Sequence, residues 1–166
     1  MLKMITSMKD LNIRQLLDVY CESIINDSHS KKESVPLGVC VIEAEQDFLN
    51  YMRDFFTFPG AFLELWELDG VYLAALRAEA YNDGYLISGL ETMPAQRRRG
   101  YARDLLKGVI SYLGRCNNVK IYSHVKKKNT ASLELHFACG FSAVSEYAVL
   151  LDGSVSTDYY TLCYSR

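Results

Sequence analysis

The sequence predicts a mixed α+β domain, a twisted and mostly antiparallel sheet with helices over both faces, and three features carry that prediction. Residues 61–92 hold three stretches rich in alternating apolar and polar side chains, separated by the hairpin turns Asp69-Gly70 and Asp83-Gly84. Residues 101–113 then switch to a period near 3.6, with Ala102, Leu105, Leu106, Val109, Ile110 and Leu113 on one face. The remainder reads strand, helix, hairpin, which fits a mixed sheet and not a repeated βαβ unit.

In chain order, Leu11, Ile13, Leu16, Leu17, Tyr20 and Ile24 predict a helix from about Met8 to Ile25, and the polar run 26–34 predicts a mobile loop after it. Phe48, Leu49, Met52, Phe55 and Phe56 predict a second amphipathic helix over 44–56, closed by Pro59-Gly60. The three-stranded meander follows, then the helix from Tyr101, for which Gly114 is the expected stop. Residues 118–125 read as a strand, and Asn129 is placed to cap a short helix ending at Gly140. Residues 141–151 and 154–164, joined at Asp152-Gly153, predict a final hairpin, whose second strand would be a pairing hazard if it lay at an edge. Monomer and homodimer both stay open.

The 166 residues, 49% of them hydrophobic, suit a single cored domain spanning 1–166. Charge is unevenly placed: residues 1–83 carry seven basic and fourteen acidic side chains, residues 84–166 eleven and six. This lacks the overall basic footprint of a duplex-binding protein, so no nucleic-acid partner is expected. The five cysteines, Cys21, Cys40, Cys116, Cys139 and Cys163, are widely spaced and form no CxxC pair, so they read as reduced thiols. His29, His124 and His136 lack the spacing of metal ligands, and no metal is expected. With no apolar leader and no run long enough to span a bilayer, the expected location is the cytoplasm, with no membrane partner.

Arg97, Arg98, Arg99 and Gly100 stand between the end of the third meander strand and the helix from Tyr101. A helix start leaves backbone amides unpartnered and directs the positive end of the macrodipole outward. Gly100 has no side chain to hold an anion away, and the arginine backbone can add further donors. Taken alone, the run would read as a solvated basic turn. Its spacing, Arg-x-x-Gly-x-Ala over 97–102 after Pro94, resembles the Q/R-x-x-G-x-G/A pyrophosphate loop of the GNAT superfamily of N-acetyltransferases. Asn129, Ser132, Leu135, Gly140 and Phe141 resemble that superfamily's N-x-x-A/S-x-x-L-Y-x-x-x-G-F segment.

The resemblance implies acetyl-CoA as cofactor, its pyrophosphate on amides near Arg97, Arg98, Arg99, Gly100, Tyr101 and Ala102. The pantetheine arm would run beside Leu90, Glu91, Thr92 and Met93, with Asn129 as a further contact. His136 stands where the superfamily usually has the tyrosine that protonates the leaving thiolate, and an imidazolium is equipped for that work; a structural histidine is the plainer reading of its setting. Glu91 is the candidate general base, with Glu79, Tyr81 and Tyr85 as further options. The implied acceptor is an amine of a small molecule or peptide, attacking the thioester directly in a ternary complex, since no cysteine sits in a nucleophile motif. Acids including Glu22, Asp27, Glu33, Glu43, Glu45 and Asp47 would favour a cationic acceptor, and Phe55, Phe56, Phe58, Trp66, Tyr72 and Tyr81 would line its pocket or fill the core. A non-catalytic acyl-CoA sensor on the same fold is the alternative.

Overall fold

The computed structural model describes residues 1–31, 37–115 and 119–165; Glu33 and Cys116 lie outside them, as do the side chains of Asp27 and His29. Strand β1 (Leu2–Ile5) leads into helices α1 (Ile13–Lys31) and α2 (Leu37–Phe55). The meander is β2 (Phe62–Leu68), β3 (Val71–Tyr81) and β4 (Gly84–Thr92), followed by α3 (Tyr101–Leu113), β5 (Lys120–Lys126) and α4 (Thr130–Ala138). Strands β6 (Ser142–Ser145), β7 (Ala148–Val149), β8 (Val155–Ser156) and β9 (Tyr159–Tyr164) complete it.

Four departures from the sequence reading have physical causes. Helix α1 starts at Ile13, after a single 3-10 turn at Met8–Asp10, and the Asn12 side chain accepts the Gln15 N–H at 3.3 Å. It also runs on to Lys31 through residues read as loop, because that polar stretch has no Gly or Pro and costs only tenths of a kcal/mol per residue as helix. Strand β1 escaped notice because four residues are too few to display a period; it pairs with β2 from Leu2↔Trp66 to Ile5↔Leu63. The final hairpin is divided: β7 and β8 form a separate ribbon about Gly153, while β6 pairs with β9.

The main sheet has the order β1-β2-β3-β4-β5-β9-β6, so β9 is flanked on both sides and offers no free edge for the pairing that its composition suggested. Successive side chains on each strand face opposite ways. Phe62, Leu76, Ile121 and Leu162 meet the apolar face of α3, through Leu105, Leu106 and Val109, to form one core. Leu63, Leu65 and Ala75 meet Leu16, Val19, Met52 and Phe55 of α1 and α2 to form the other. Both faces are therefore covered by helices.

The sheet is antiparallel except between β4 and β5. These two pair only from Gly84↔Lys120 to Ile87↔Ser123, and beyond that point they part. The cause lies in β4. Its register against β3 steps from Arg77↔Ser88 to Ala75↔Glu91, an extra residue in β4, and Gly89 takes φ +56° within the step. Such a bulge bends its strand.

Candidate active site

Beyond the bulge, β4 ends at Thr92, which pairs with Ala74, and the Met93 N–H donates to the Leu73 carbonyl at 2.9 Å. The chain crosses Pro94–Gln96 in one 3-10 turn and enters α3 through two left-handed residues, Arg98 (φ +63°) and Gly100 (φ +89°). The first helical bond of α3 is Asp104 N–H to Gly100 C=O at 3.0 Å, so the amides of Tyr101, Ala102 and Arg103 precede any i−4 partner. A Cβ added at Gly100 would meet nothing within 4 Å, so the corner is open to solvent. Open space, outward amides and the helix dipole together fit a phosphate group.

The arginines differ among themselves. Arg97 donates its N–H to Pro94 C=O at 3.4 Å and its guanidinium to Glu22 at 2.6 Å, which ties the loop to α1. Arg98 and Arg99 are exposed. Asn129 uses its side-chain oxygen to cap α4, accepting the Ser132 N–H at 3.1 Å.

His136 is only 2% exposed and lies edge-on to Phe141, ring centroids 5.1 Å apart. Its Nδ1 is 2.7 Å from the Ser132 carbonyl oxygen, so Nδ1 carries the hydrogen and Nε2 is the acceptor of the neutral ring. That Nε2 is buried with no partner among the described residues. Burial pushes the His136 pKa below its ordinary value, and the bond to Ser132 offsets part of the shift.

Glu91 lies beneath α1. Burial raises its pKa above the usual carboxylate value, while Arg97, the Ser23 hydroxyl and Arg77 pull it back. Of the further options for the base, Tyr85 packs on Phe62 in the α3 core, whereas Glu79 and Tyr81 share the α1–α2 face with Arg77. Glu79 is 5% exposed, and burial raises its pKa too. The aromatic residues singled out from the sequence are largely structural: Phe55 and Tyr72 are buried, and Trp66 packs on Tyr101 at 5.6 Å.

A cavity of about 470 Å³ opens on the α1–α2 face, lined by Arg77 of β3, Leu86 and Ser88 of β4, His124 of β5, Tyr51, Tyr159 and the 150–152 loop. It touches β4 just before the bulge. Sequence reasoning missed Arg77, Ser88, His124, Tyr20 and Tyr51. The signal was there in β3, where Arg77, Glu79 and Tyr81 put three polar side chains on one face of a central strand. His124 Nε2 is buried and unpartnered among the described residues, and burial lowers its pKa, which keeps the ring neutral near pH 7. Among the described residues, no group of three His, Cys, Asp or Glu side chains is arranged to hold a metal ion, and no helix is long and apolar enough to cross a membrane.

Known structures share this fold. The fold matches PaiA N-acetyltransferase from Thermoplasma acidophilum, crystallised with coenzyme A, at TM-score 0.67 and 8% identity over 100% of this chain and 99% of that one. It matches the ribosomal-protein-S18-alanine N-acetyltransferase of Escherichia coli at TM-score 0.64 and 15% identity, over 99% and 94%. An aminoglycoside 6'-acetyltransferase type Ii gives TM-score 0.66 at 11% identity, over 99% and 96%. At these identities the likeness is one of fold. No curated protein sequence matches the chain significantly. The profile of the acetyltransferase (GNAT) family, however, matches residues 23–141, which include the end of α1, all of α2, the meander, the arginine loop and α4. The chain belongs to the acetyltransferase (GNAT) family.

Proposed function

We propose that the protein is an N-acetyltransferase that moves the acetyl group of acetyl-CoA onto a primary amine by direct attack in a ternary complex. Acetyl-CoA is the cosubstrate of the family, and it supplies an acyl group activated as a thioester. The observation that carries the reading is the convergence of two openings on one strand. The amide-lined corner at Arg98–Arg103 lies past the end of β4, and the cavity beside Ser88 lies before its bulge.

In this reading the amides of residues 98–103 hold the pyrophosphate, and Gly100 lets it approach the backbone. The unpaired margin of β4 at Leu90, Glu91 and Thr92 runs alongside the pantetheine arm, near Asn129 and the α4 start. The attacking nitrogen must first lose a proton. Glu91 and His124 are both equipped to accept it, Glu91 by its raised pKa and His124 by its unpartnered Nε2. His136 serves the leaving sulfur in its imidazolium form: Nε2 takes up a proton before the C–S bond breaks and gives it to the departing thiolate, which returns the ring to the neutral form. A sensor that binds acyl-CoA without turnover is the second reading, favoured by the burial of the His136 ring, which disfavours its charged form.

Gly100→Glu tests the first reading. The new carboxylate fills the open corner with like charge and strains a left-handed position, so calorimetry should give a CoA dissociation constant more than about tenfold higher. Unchanged affinity would refute the cradle. Thiol release with amine acceptors separates enzyme from sensor, which would bind CoA saturably and release nothing.

A further inference from the structure

Among the described residues Arg77 has no ion-pair partner: no carboxylate lies within 4.0 Å of its guanidinium, and its Nε is shut away from solvent with no acceptor. It is nevertheless firmly held. The Tyr51 ring lies 4.7 Å from the guanidinium carbon and the Tyr20 ring 5.6 Å. Gly89 makes the room: a Cβ there would stand 2.5 Å from the Arg77 Nη2 atom, and the Tyr20 hydroxyl pins the bulge by donating to the Gly89 carbonyl at 2.5 Å. Leaving a guanidinium half-buried and unneutralised is costly, and clamping it between ring faces fixes its fork in advance of any partner.

The surroundings show what partner is lacking. Glu79 and Glu91 are near enough to feel Arg77 but bond elsewhere or not at all, and burial favours their uncharged forms. Asp152, another residue of the lining, accepts the Ser154 N–H and hydroxyl at 2.9 and 2.6 Å. Among the described residues Arg77 is thus the one fixed cation of the lining, and no carboxylate lies within ion-pair distance of it. Across β4 stands His124. Arg77, Ser88 and His124 occupy three neighbouring strands, which spaces the backbones of the outer two by roughly 10 Å. That span admits a small molecule with an anionic end on the guanidinium and an amine toward the parting of β4 and β5.

Resting on the acetyltransferase reading, we propose that this cavity takes an amine that also bears a carboxylate, and that Arg77 is the residue that selects it. The planar fork receives the carboxylate through two parallel hydrogen bonds. The same cation repels polyamines and lowers the pKa of a nearby ammonium, which enlarges the neutral, nucleophilic fraction. Among the described side chains, the acids Glu22, Glu43, Glu45 and Asp47 of α1 and α2, which alone would suggest a purely cationic acceptor, lie outside the lining.

The test is calorimetric binding to the full chain saturated with CoA, using the common amino acids, the carboxamide of each, and spermidine. At least one amino acid should bind ten or more times more tightly than its carboxamide, and spermidine should not compete. Arg77→Met should erase that gap with CoA affinity intact; Arg77→Lys, which keeps the charge without the fork and guards against a folding defect, should narrow it. The proposal is overturned if no amino acid outbinds its carboxamide in the unaltered protein, or if the gap survives in Arg77→Met. Failure to bind CoA at all would instead overturn the acetyltransferase reading.

Discussion

Single side chains in this protein have their pKa values moved by burial, and each makes a measurable promise. Glu64 is 6% exposed on the α3 side, with one carboxylate oxygen buried and without a partner among the described residues, and burial raises its pKa. A carboxyl whose folded pKa exceeds its unfolded value contributes stability below the unfolded value, near 4.5, and loses it as pH climbs through the folded one. Glu64→Gln should therefore raise the melting temperature at pH 8 and change it little at pH 4.5, as read by thermal denaturation at both. For His136, replacement by Phe keeps the ring contact with Phe141 and removes both nitrogens. Turnover should fall by about 10²-fold if the ring relays a proton; wild-type turnover with an unaltered pH profile would refute that role. Glu91→Gln and His124→Gln discriminate between the two proton acceptors. The one that abolishes the acidic limb of kcat/KM carries the step, and for Glu91 that limb should lie above pH 4.5 because burial lifts its pKa.

At the scale of elements, the strand pair β4–β5 decides the architecture of the site. Its closed end depends on Gly84, where an added Cβ would lie 1.9 Å from the Lys120 carbonyl oxygen. No side chain fits there without prising the strands apart, so Gly84→Val should cost at least ~3 kcal/mol in urea denaturation, the upper end for overpacking. The open end depends on the Gly89 bulge, and this contrast explains what the sequence disclosed. The α3 helix, the turns at Asp69-Gly70 and Asp152-Gly153 and the Asn129 cap were legible because each follows from local chemistry, whereas the turn read at Asp83-Gly84 falls one residue earlier, at Asn82-Asp83, and Gly84 opens β4 opposite Tyr81. The arginine loop was legible because its donors belong to consecutive residues. The cavity beside Ser88 was not, since Arg77, Ser88 and His124 meet only through the register of three strands and a bulge that no short window contains. Likewise, nothing local told β9 that it would lie between β5 and β6.

For the whole molecule, the uneven charge of the sequence acquires a direction. The seven basic and fourteen acidic residues of 1–83 furnish α1, α2 and most of the meander, while the arginine loop lies in the half with eleven basic and six acidic residues. A polyanion approaching that loop is drawn by a field that salt screens, with a Debye length of roughly 10 Å at 0.1 M. Stopped-flow association of CoA should therefore slow several-fold between 50 and 500 mM NaCl, and a rate insensitive to salt would show that the arginine side chains play no part in capture.

The gap where β4 leaves β5 also makes this a sheet with part of its hydrogen bonding left undone. Whatever fills the gap binds the native chain and not the denatured one, so by mass action it shifts the folding equilibrium by about 2.7 kcal/mol at a hundredfold excess over its dissociation constant. Amide exchange in residues 89–92 should slow on filling. Endurance of the fold inside a cell would then track the local supply of coenzyme, and starvation for it would be felt first as susceptibility to proteolysis.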